Sequence, residues 1–211
     1  MRTYRQPWRA RHARTLALAA LFAALAGLNS ASAQPVFGSS YSTIAAMNCW
    51  SDGKKQADDH STRVCRGKSG FVVSVDVVDL RQTVSIGHSL TEAAKEPAAE
   101  AWFGPFNSAS PRIEWRMAGS EPFAIIQRWQ IADPSNQDKS GRLHDKALLV
   151  VTRLSPGGVC HVGYVDVAAN PDANELARQA ADQSARSFVC GKDEVKIIGK
   201  SGRAVELAMQ H

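Results

Sequence analysis

Short runs of alternating hydrophobic and polar residues cover most of this chain and predict a protein built mainly from β-strands. In 112–117 and 122–131 the apolar residues occupy alternate positions, so each strand presents one apolar face. Residues 71–78 read F-V-V-S-V-D-V-V, which is rich in β-branched residues and predicts a largely buried strand. Further strands are expected within 41–50 and over 63–66, 82–86, 146–154, 159–167 and 195–198.

Two Ala-rich segments, each following about four strands, predict helices packed on the sheet. The first covers 89–103 with a break at Pro97. The second opens with Asn170 as N-cap and Pro171 in the first turn, and it stops at Gly191. Hairpins with segregated helices predict an α+β fold with antiparallel sheet, in two strand-strand-strand-strand-helix halves. Loops are expected at 34–42 and 133–145, and a short tail after 198.

The first 33 residues have a different pattern, which predicts a signal peptide. A basic start is followed by an uncharged apolar run over 15–28 and by Ala31-Ser32-Ala33, the small-x-small pattern that signal peptidase cleaves. The apolar run is shorter than the roughly 20 residues that a transmembrane helix needs. We therefore expect cleavage after Ala33 and export to the periplasm or beyond. The mature protein, 34–211, is expected to be a single disulfide-bonded domain with no membrane span.

Removal of this segment changes the charge of the chain. The full sequence has 25 Lys and Arg against 20 Asp and Glu, a net charge of +5. Residues 1–33 contain five arginines and no acidic residue, so the remaining chain has equal numbers of basic and acidic residues. Because binding to nucleic acid needs a surplus of clustered Lys and Arg, we expect no nucleic-acid partner.

Four cysteines in an exported chain predict two disulfide bonds. Three pairings exist, and the pairing of nearest neighbours is favoured because each bond would then close a local unit. The bonds would be Cys49–Cys65 and Cys160–Cys190, the second of which would pin the end of the second helix to the strand before it. The chain has no C-x-x-C pair, which argues against a zinc site.

The segment Gly87-His88-Ser89-Leu90-Thr91 resembles the nucleophile elbow of serine esterases but lacks its closing glycine. The same residues read as a capping box, because Ser89 is followed three residues later by Glu92. We interpret Ser89 as a helix cap and predict no catalytic residue in this chain.

Three histidine motifs are interpreted without a metal or catalytic role. Asp58-Asp59-His60 and His144-Asp145 are expected in solvated loops, since consecutive side chains point in different directions. Cys160 and His161 are neighbours on a strand and should face opposite sides of the sheet. With no H-E-x-x-H and no glycine-rich phosphate loop either, we expect neither a metal site nor a cofactor.

Aromatic residues suggest one candidate interaction surface. Trp115 and Trp129 lie on apolar stripes of strands that we expect to pair, so both are assigned to the core. Trp102, Phe103 and Phe106 surround a Gly-Pro turn instead, and we expect this segment to be partly exposed. It is the surface that we single out for contact with a partner.

Two segments carry a resemblance to known sequences. Residues 122–129 with 149–154, and 160–177 (C-H-V-G-Y-V-D-V-A-A-N-P-D-A-N-E-L-A), resemble a group of uncharacterised exported proteins of proteobacteria. With the strand at 79–87, the resemblance spans most of the mature chain. It implies export and family membership, and no activity that could be transferred. In size, export and cysteine count the chain is also similar to the invasion-associated locus B proteins.

Together these patterns favour a non-catalytic binding or interaction protein of the cell envelope, with an envelope protein or a small molecule as its partner. The alternative is a small envelope hydrolase whose site no motif reveals, because active sites assemble from residues that are distant in sequence.

Overall fold

A computed structural model describes residues 36–53 and 59–210, together with Met1 and Thr3. Apart from Met1 and Thr3, the predicted signal peptide therefore lies outside the described residues, as do its cleavage site and Asp58. The described chain is α+β, as the sequence predicts: it has ten strands in two sheets and three short α-helices.

Six strands form the larger sheet, called sheet A, in the spatial order β1-β6-β7-β8-β9-β10. All neighbours are antiparallel except β9 and β10, which are parallel. The strands are β1 (Phe37–Thr43), β6 (Asn107–Ala118), β7 (Glu121–Gln137), β8 (Leu143–Arg153), β9 (His161–Asp166) and β10 (Lys196–Ile197).

The smaller sheet, called sheet B, is an antiparallel meander in the order β2-β3-β4-β5. Its strands are β2 (Cys49–Ser51), β3 (His60–Arg66), β4 (Val72–Val78) and β5 (Arg81–Gly87). The predicted division into two sets of strands is thus correct for sheet B. Sheet A has six strands, because β1 joins it from the start of the chain and β10, the strand expected over 195–198, joins it from the end.

One apolar core lies between the inner faces of the two sheets. Trp115 and Trp129 are at its centre, 0% and 1% exposed, which confirms their assignment to the core. Alternate residues of β4 and β5, such as Val73, Val75 and Ile86, supply the part that sheet B contributes. This alternation explains why the inner faces are apolar while the outer faces of the same strands can carry polar residues.

A second core lies between the outer face of sheet A and helix α2 (Ala173–Ala180), which continues as a π-helical turn, Ala181–Ala185. Four small residues, Ala173, Ala177, Ala181 and Ala185, are buried on the face that contacts the sheet. The predicted second helix is therefore confirmed, but it begins later than expected, with Asp172 as its N-cap, and its last turn ends at Ala185, before the expected stop at Gly191. The Asn170 side chain instead donates to the carbonyl oxygens of Asp166 and Lys200.

The first predicted helix is mostly wrong. Only α1 (Leu90–Ala93) and a short 3-10 turn (Pro97–Glu100) form in place of 89–103. Pro97 lacks an amide donor and keeps Glu96 extended, so the helix cannot pass through this point.

Three segments expected as loops or tail are ordered elements. The lead-in at 34–42 contains most of β1, and β7 and β8 extend into the polar insert, where they make a longer hairpin. The tail contains α3 (Arg203–Ala208), whose apolar residues Val205 and Leu207 enter the core between the sheets. Asp166 holds α3 by accepting a hydrogen bond from the backbone amide of Ala204 at 2.8 Å.

Both favoured disulfides are present. Cys49 and Cys65 are paired across β2 and β3, and Cys160 is joined to Cys190 beyond the end of the helix. Among the described helices, none is both long enough and apolar enough to cross a bilayer. Two disulfides suggest an oxidising, extracytoplasmic compartment for the folded protein.

Candidate functional site

The aromatic segment singled out from the sequence does not form one surface. Phe103 is 1% exposed and packs edge-to-face on Trp129, so its assignment to an interaction surface is wrong. Trp102 is half-buried and lines a cavity beside the second disulfide, while Phe106 is exposed beneath the guanidinium of Arg81. The Gly-Pro turn between them separates the side chains, since it turns Phe103 into the core and Phe106 out of it.

Ser89 lies at the start of α1, as its cap interpretation predicts. Its hydroxyl accepts a hydrogen bond from the backbone amide of Glu92 at 3.2 Å. The Glu92 carboxylate accepts from the amide of His88, one residue before the cap. Within the described residues, no serine or threonine hydroxyl is hydrogen-bonded to a histidine ring, the arrangement that a serine hydrolase needs.

The structure places two of the three histidine motifs differently from the sequence prediction, and it agrees with the third, since Cys160 and His161 pack on opposite faces of sheet A. His60 is the first residue of β3, where its ring contacts Asp76, and His144 is an exposed residue of β8, so neither lies in a loop. His161 is buried and its Nδ1 lies 2.9 Å from the hydroxyl of Tyr164. Burial lowers the pKa of His161 to about 4, so the ring is neutral at pH 7.

The strongest candidate for a binding site is a groove of about 440 Å³ on the outer face of sheet A, beside α2. We call it the arginine groove. Arg112 and Glu114 come from β6, and Arg128 comes from β7, where side chains of alternate residues share this face. Arg178 and Asn174 extend from α2, and the remaining lining residues are Tyr41, Ser110, Ile126 and Leu149.

The one carboxylate lining this groove is already neutralised by arginines. Arg178 donates to both oxygens of Glu114, at 2.7 and 3.1 Å, and Arg116 lies 3.8 Å away. Burial alone would raise the pKa of Glu114, but hydrogen bonds from Arg178 and Ser39 and the nearby guanidinium charges together hold it below its ordinary value. Glu114 therefore stays ionised, and its charge is compensated within this cluster.

Arg128 and Arg112 have no such carboxylate. Arg128 is half-buried on β7 opposite Leu149, and no described residue forms a hydrogen bond or ion pair with its side chain. Arg112 is exposed, and its guanidinium carbon lies 4.1 Å from the centre of the Tyr41 ring. A cation–π contact orients a guanidinium without neutralising it. Two arginine charges in the groove are thus available to an anion.

The groove combines these charges with an apolar floor, made by Ile126 and Leu149. Guanidinium groups bind carboxylates and phosphates with paired hydrogen bonds, which makes arginine the preferred residue for such anions. An apolar floor favours a ligand that also has a hydrocarbon portion. The geometry therefore suits a small anion with an apolar part.

The groove could not be predicted from motifs, because its three arginines are far apart in the chain. Arg112, Arg128 and Arg178 converge only after β6 pairs with β7 and α2 packs on the sheet. A usable signal was nevertheless present: Arg112 and Arg128 lie on the polar side of strands whose other side is apolar. The zero net charge of residues 34–211 concealed it, since a balanced total says nothing about how the charges are distributed on the surface.

Within the described residues, no group of three or more His, Cys, Asp or Glu side chains is placed to hold a metal ion. Comparison of the chain with protein-family models, with curated proteins and with solved structures found no match.

Proposed function

We propose that this is an exported envelope protein that acts in the periplasm by binding, without catalysis, and that its ligand is a small anion with an apolar part. The ligand class is a carboxylate or a phosphate that carries a short hydrocarbon chain, and the arginine groove is its site. The proposal for export rests on the predicted signal peptide over 1–33, and two disulfides agree with it.

The observation that carries the proposal is the uncompensated charge in the groove. Three arginines and one glutamate line it, and the glutamate is paired with Arg178. Holding two uncompensated guanidinium groups in one groove costs free energy through mutual repulsion. An anion would relieve that repulsion, so the arrangement favours ligand binding over a purely structural role.

Isothermal titration calorimetry of the purified protein with hexyl phosphate and with hexanoate tests this proposal. We expect at least one of these anions to bind. The uncharged 1-hexanol should show no measurable binding, and it should not displace either anion. Binding should weaken as salt rises, because the interaction is between charges. Arg128→Gln should weaken it by about tenfold or more, the effect of losing a charge-assisted hydrogen bond in a partly buried site.

A matched control is Arg66→Gln, which removes an exposed arginine from a strand of sheet B. It should leave the affinity unchanged. The proposal is wrong if neither anion binds, or if Arg66→Gln and Arg128→Gln weaken binding equally. Circular dichroism of both variants would show that the fold is retained.

A further inference from the structure

The outer face of sheet B holds a second, separate pocket, of about 220 Å³. Alternate residues of β3, β4 and β5 point their side chains to this face, and they are polar where the inner face is apolar. One row across the three strands is Thr62, Asp76 and Thr83, and the next places Ser74 beside Ser85. We call it the acidic pocket.

Asp76 is the centre of the acidic pocket, and one of its oxygens is open. Its Oδ1 accepts a hydrogen bond from the Thr62 hydroxyl and lies 2.9 Å from Nε2 of His60. Because a carboxylate only accepts hydrogen bonds when ionised, Nε2 of His60 carries the proton in this contact. No hydrogen bond from a described residue reaches Oδ2 of Asp76. His60 and Thr62 thus fix the carboxylate with one oxygen available to a donor.

A buried hydroxyl without a partner lies in the neighbouring row. Ser85 is 2% exposed, and its Oγ forms no hydrogen bond with another described residue. Ser74 and Thr83 are also buried, and no described residue bonds to their hydroxyls. Leaving a buried hydroxyl unpaired costs roughly 1–3 kcal/mol. This observation is independent of the acidic residues, and it leaves the Ser85 hydroxyl available to a hydrogen-bonding group of a ligand.

The charge and shape of the acidic pocket select the kind of ligand. Asp76 and Glu100 bring two carboxylates to its lining and His60 brings one imidazole, so these described residues make the lining acidic. Leu90, Ala94 and Ala99, from α1 and the 3-10 turn, form an apolar wall opposite the hydroxyls. A cation with an aliphatic stem matches both surfaces, since an ammonium group donates three hydrogen bonds and its stem can pack on the wall.

We propose that the acidic pocket is a second ligand site that binds a small aliphatic primary amine, with a linear diamine as the best fit. The ammonium group donates to Oδ2 of Asp76 and to the Ser85 hydroxyl, and the alkyl stem contacts Leu90 and Ala94. A second ammonium group lies at the rim beside Glu100. His60 is a positioning residue, because it acts through Asp76. The site is independent of the arginine groove, which has the opposite charge.

Calorimetric titration of the purified protein with 1,4-diaminobutane tests this inference. We expect binding that Asp76→Asn weakens by about tenfold or more, because the amide keeps the shape of the carboxylate and removes its charge. Asp145→Asn, which removes an exposed carboxylate from β8 of sheet A, is the matched control and should bind like the wild type. Arg128→Gln should also leave diamine binding unchanged, which separates this site from the arginine groove.

The Ser85→Ala variant distinguishes a role of Ser85 in ligand binding from a role in stability alone. It removes an unpaired buried hydroxyl, so the unliganded protein should melt at the same or a higher temperature. Diamine binding should nevertheless weaken by about threefold or more. The inference is overturned if diaminobutane does not bind, if Asp76→Asn binds it as well as Asp145→Asn does, or if the uncharged 1,4-butanediol or glucose binds equally.

Discussion

The outer faces of the two sheets differ in charge, in cover and in the way their polar residues are paired. Sheet A is covered by α2 and carries the arginine groove, whereas sheet B is contacted by the short helix α1 and a 3-10 turn and carries the acidic pocket. Their inner faces share one apolar core around Trp115 and Trp129. Because the shared core is formed by the inner faces, the residues on the outer faces can differ in charge between the two sheets.

The two faces also hold their charged residues in different ways. On sheet A, pairs that join distant elements fasten α2 to the strands: Arg116 donates to both oxygens of Asp182, at 2.9 and 2.7 Å, and Arg178 donates to Glu114. On sheet B, Asp76 is held by His60 and Thr62 of the neighbouring strand. Ion pairs on sheet A therefore hold α2 against the strands. On sheet B, the described hydrogen bonds of Asp76 all reach Oδ1 and leave Oδ2 available.

The largest losses of stability are expected from removing the disulfides, one of which lies at each sheet. Cys160–Cys190 closes a separation of 30 residues, and Cys49–Cys65 closes one of 16. On the chain-entropy model, replacing each pair by serine should lower the free energy of unfolding by about 3.6 and about 3.1 kcal/mol respectively. Urea denaturation of the two double variants measures both losses. A loss below about 1 kcal/mol for either pair would contradict this account.

A slightly smaller loss of stability is expected at acidic pH, because His161 of sheet A becomes protonated when the chain unfolds. Burial lowers the pKa of His161 from 6.5 to about 4, so the folded protein keeps the ring neutral while the unfolded chain takes up a proton. The stability that this group contributes is complete above about pH 6.5 and is lost as the pH falls towards 4, by about 3 kcal/mol.

Thermal or urea unfolding between pH 7 and 4.5 measures this loss. The lowered pKa values of Glu114 and Asp133 act at lower pH, below their ordinary values of 4.5 and 3.8, and leave this window clear. His161→Gln should flatten the pH dependence, and His144→Gln, at an exposed position, should not. Equal slopes in the wild type and His161→Gln would refute the assignment.

The smallest loss of stability is expected at α1, the short helix that contacts sheet B. Ser89→Ala removes the hydroxyl that caps α1 and should cost about 1 kcal/mol of stability, while Ser89→Asn, another good cap, should recover most of it. Urea denaturation of the two variants gives the difference. A serine-reactive phosphonate should not label the protein at Ser89, and labelling there would revive the hydrolase alternative.

The parts of the fold that were predictable are those in which local pattern and tertiary packing agree. The alternation at 122–131 places Trp129 inside, and the small residues of the second helix lie against sheet A. Where tertiary contacts provide the stability, the prediction failed. The polar start of β1 forms a strand because β6 pairs with it, and α3 is stabilised by Asp166 and by the core between the sheets.

The candidate sites were less predictable than the fold, for a related reason. His60 lies in a polar stretch that reads as a loop, yet its pairing with β4 brings it against Asp76. Ser85 and Arg128 look like ordinary polar positions on half-buried strands, and only the register shows what lies opposite each. Clusters made across strands have no signature in the linear order of residues.

The arginine groove and the acidic pocket are proposed to bind ligands of opposite charge independently of each other. The most direct measurement is a pair of amide NMR titrations of the ¹⁵N-labelled protein, with hexyl phosphate and with 1,4-diaminobutane. We predict that hexyl phosphate shifts resonances around Arg112 and Arg128, that diaminobutane shifts those around Asp76 and Ser85, and that neither ligand changes the affinity of the other. Shifts from both ligands on the same sheet, or from neither ligand, would contradict the claim.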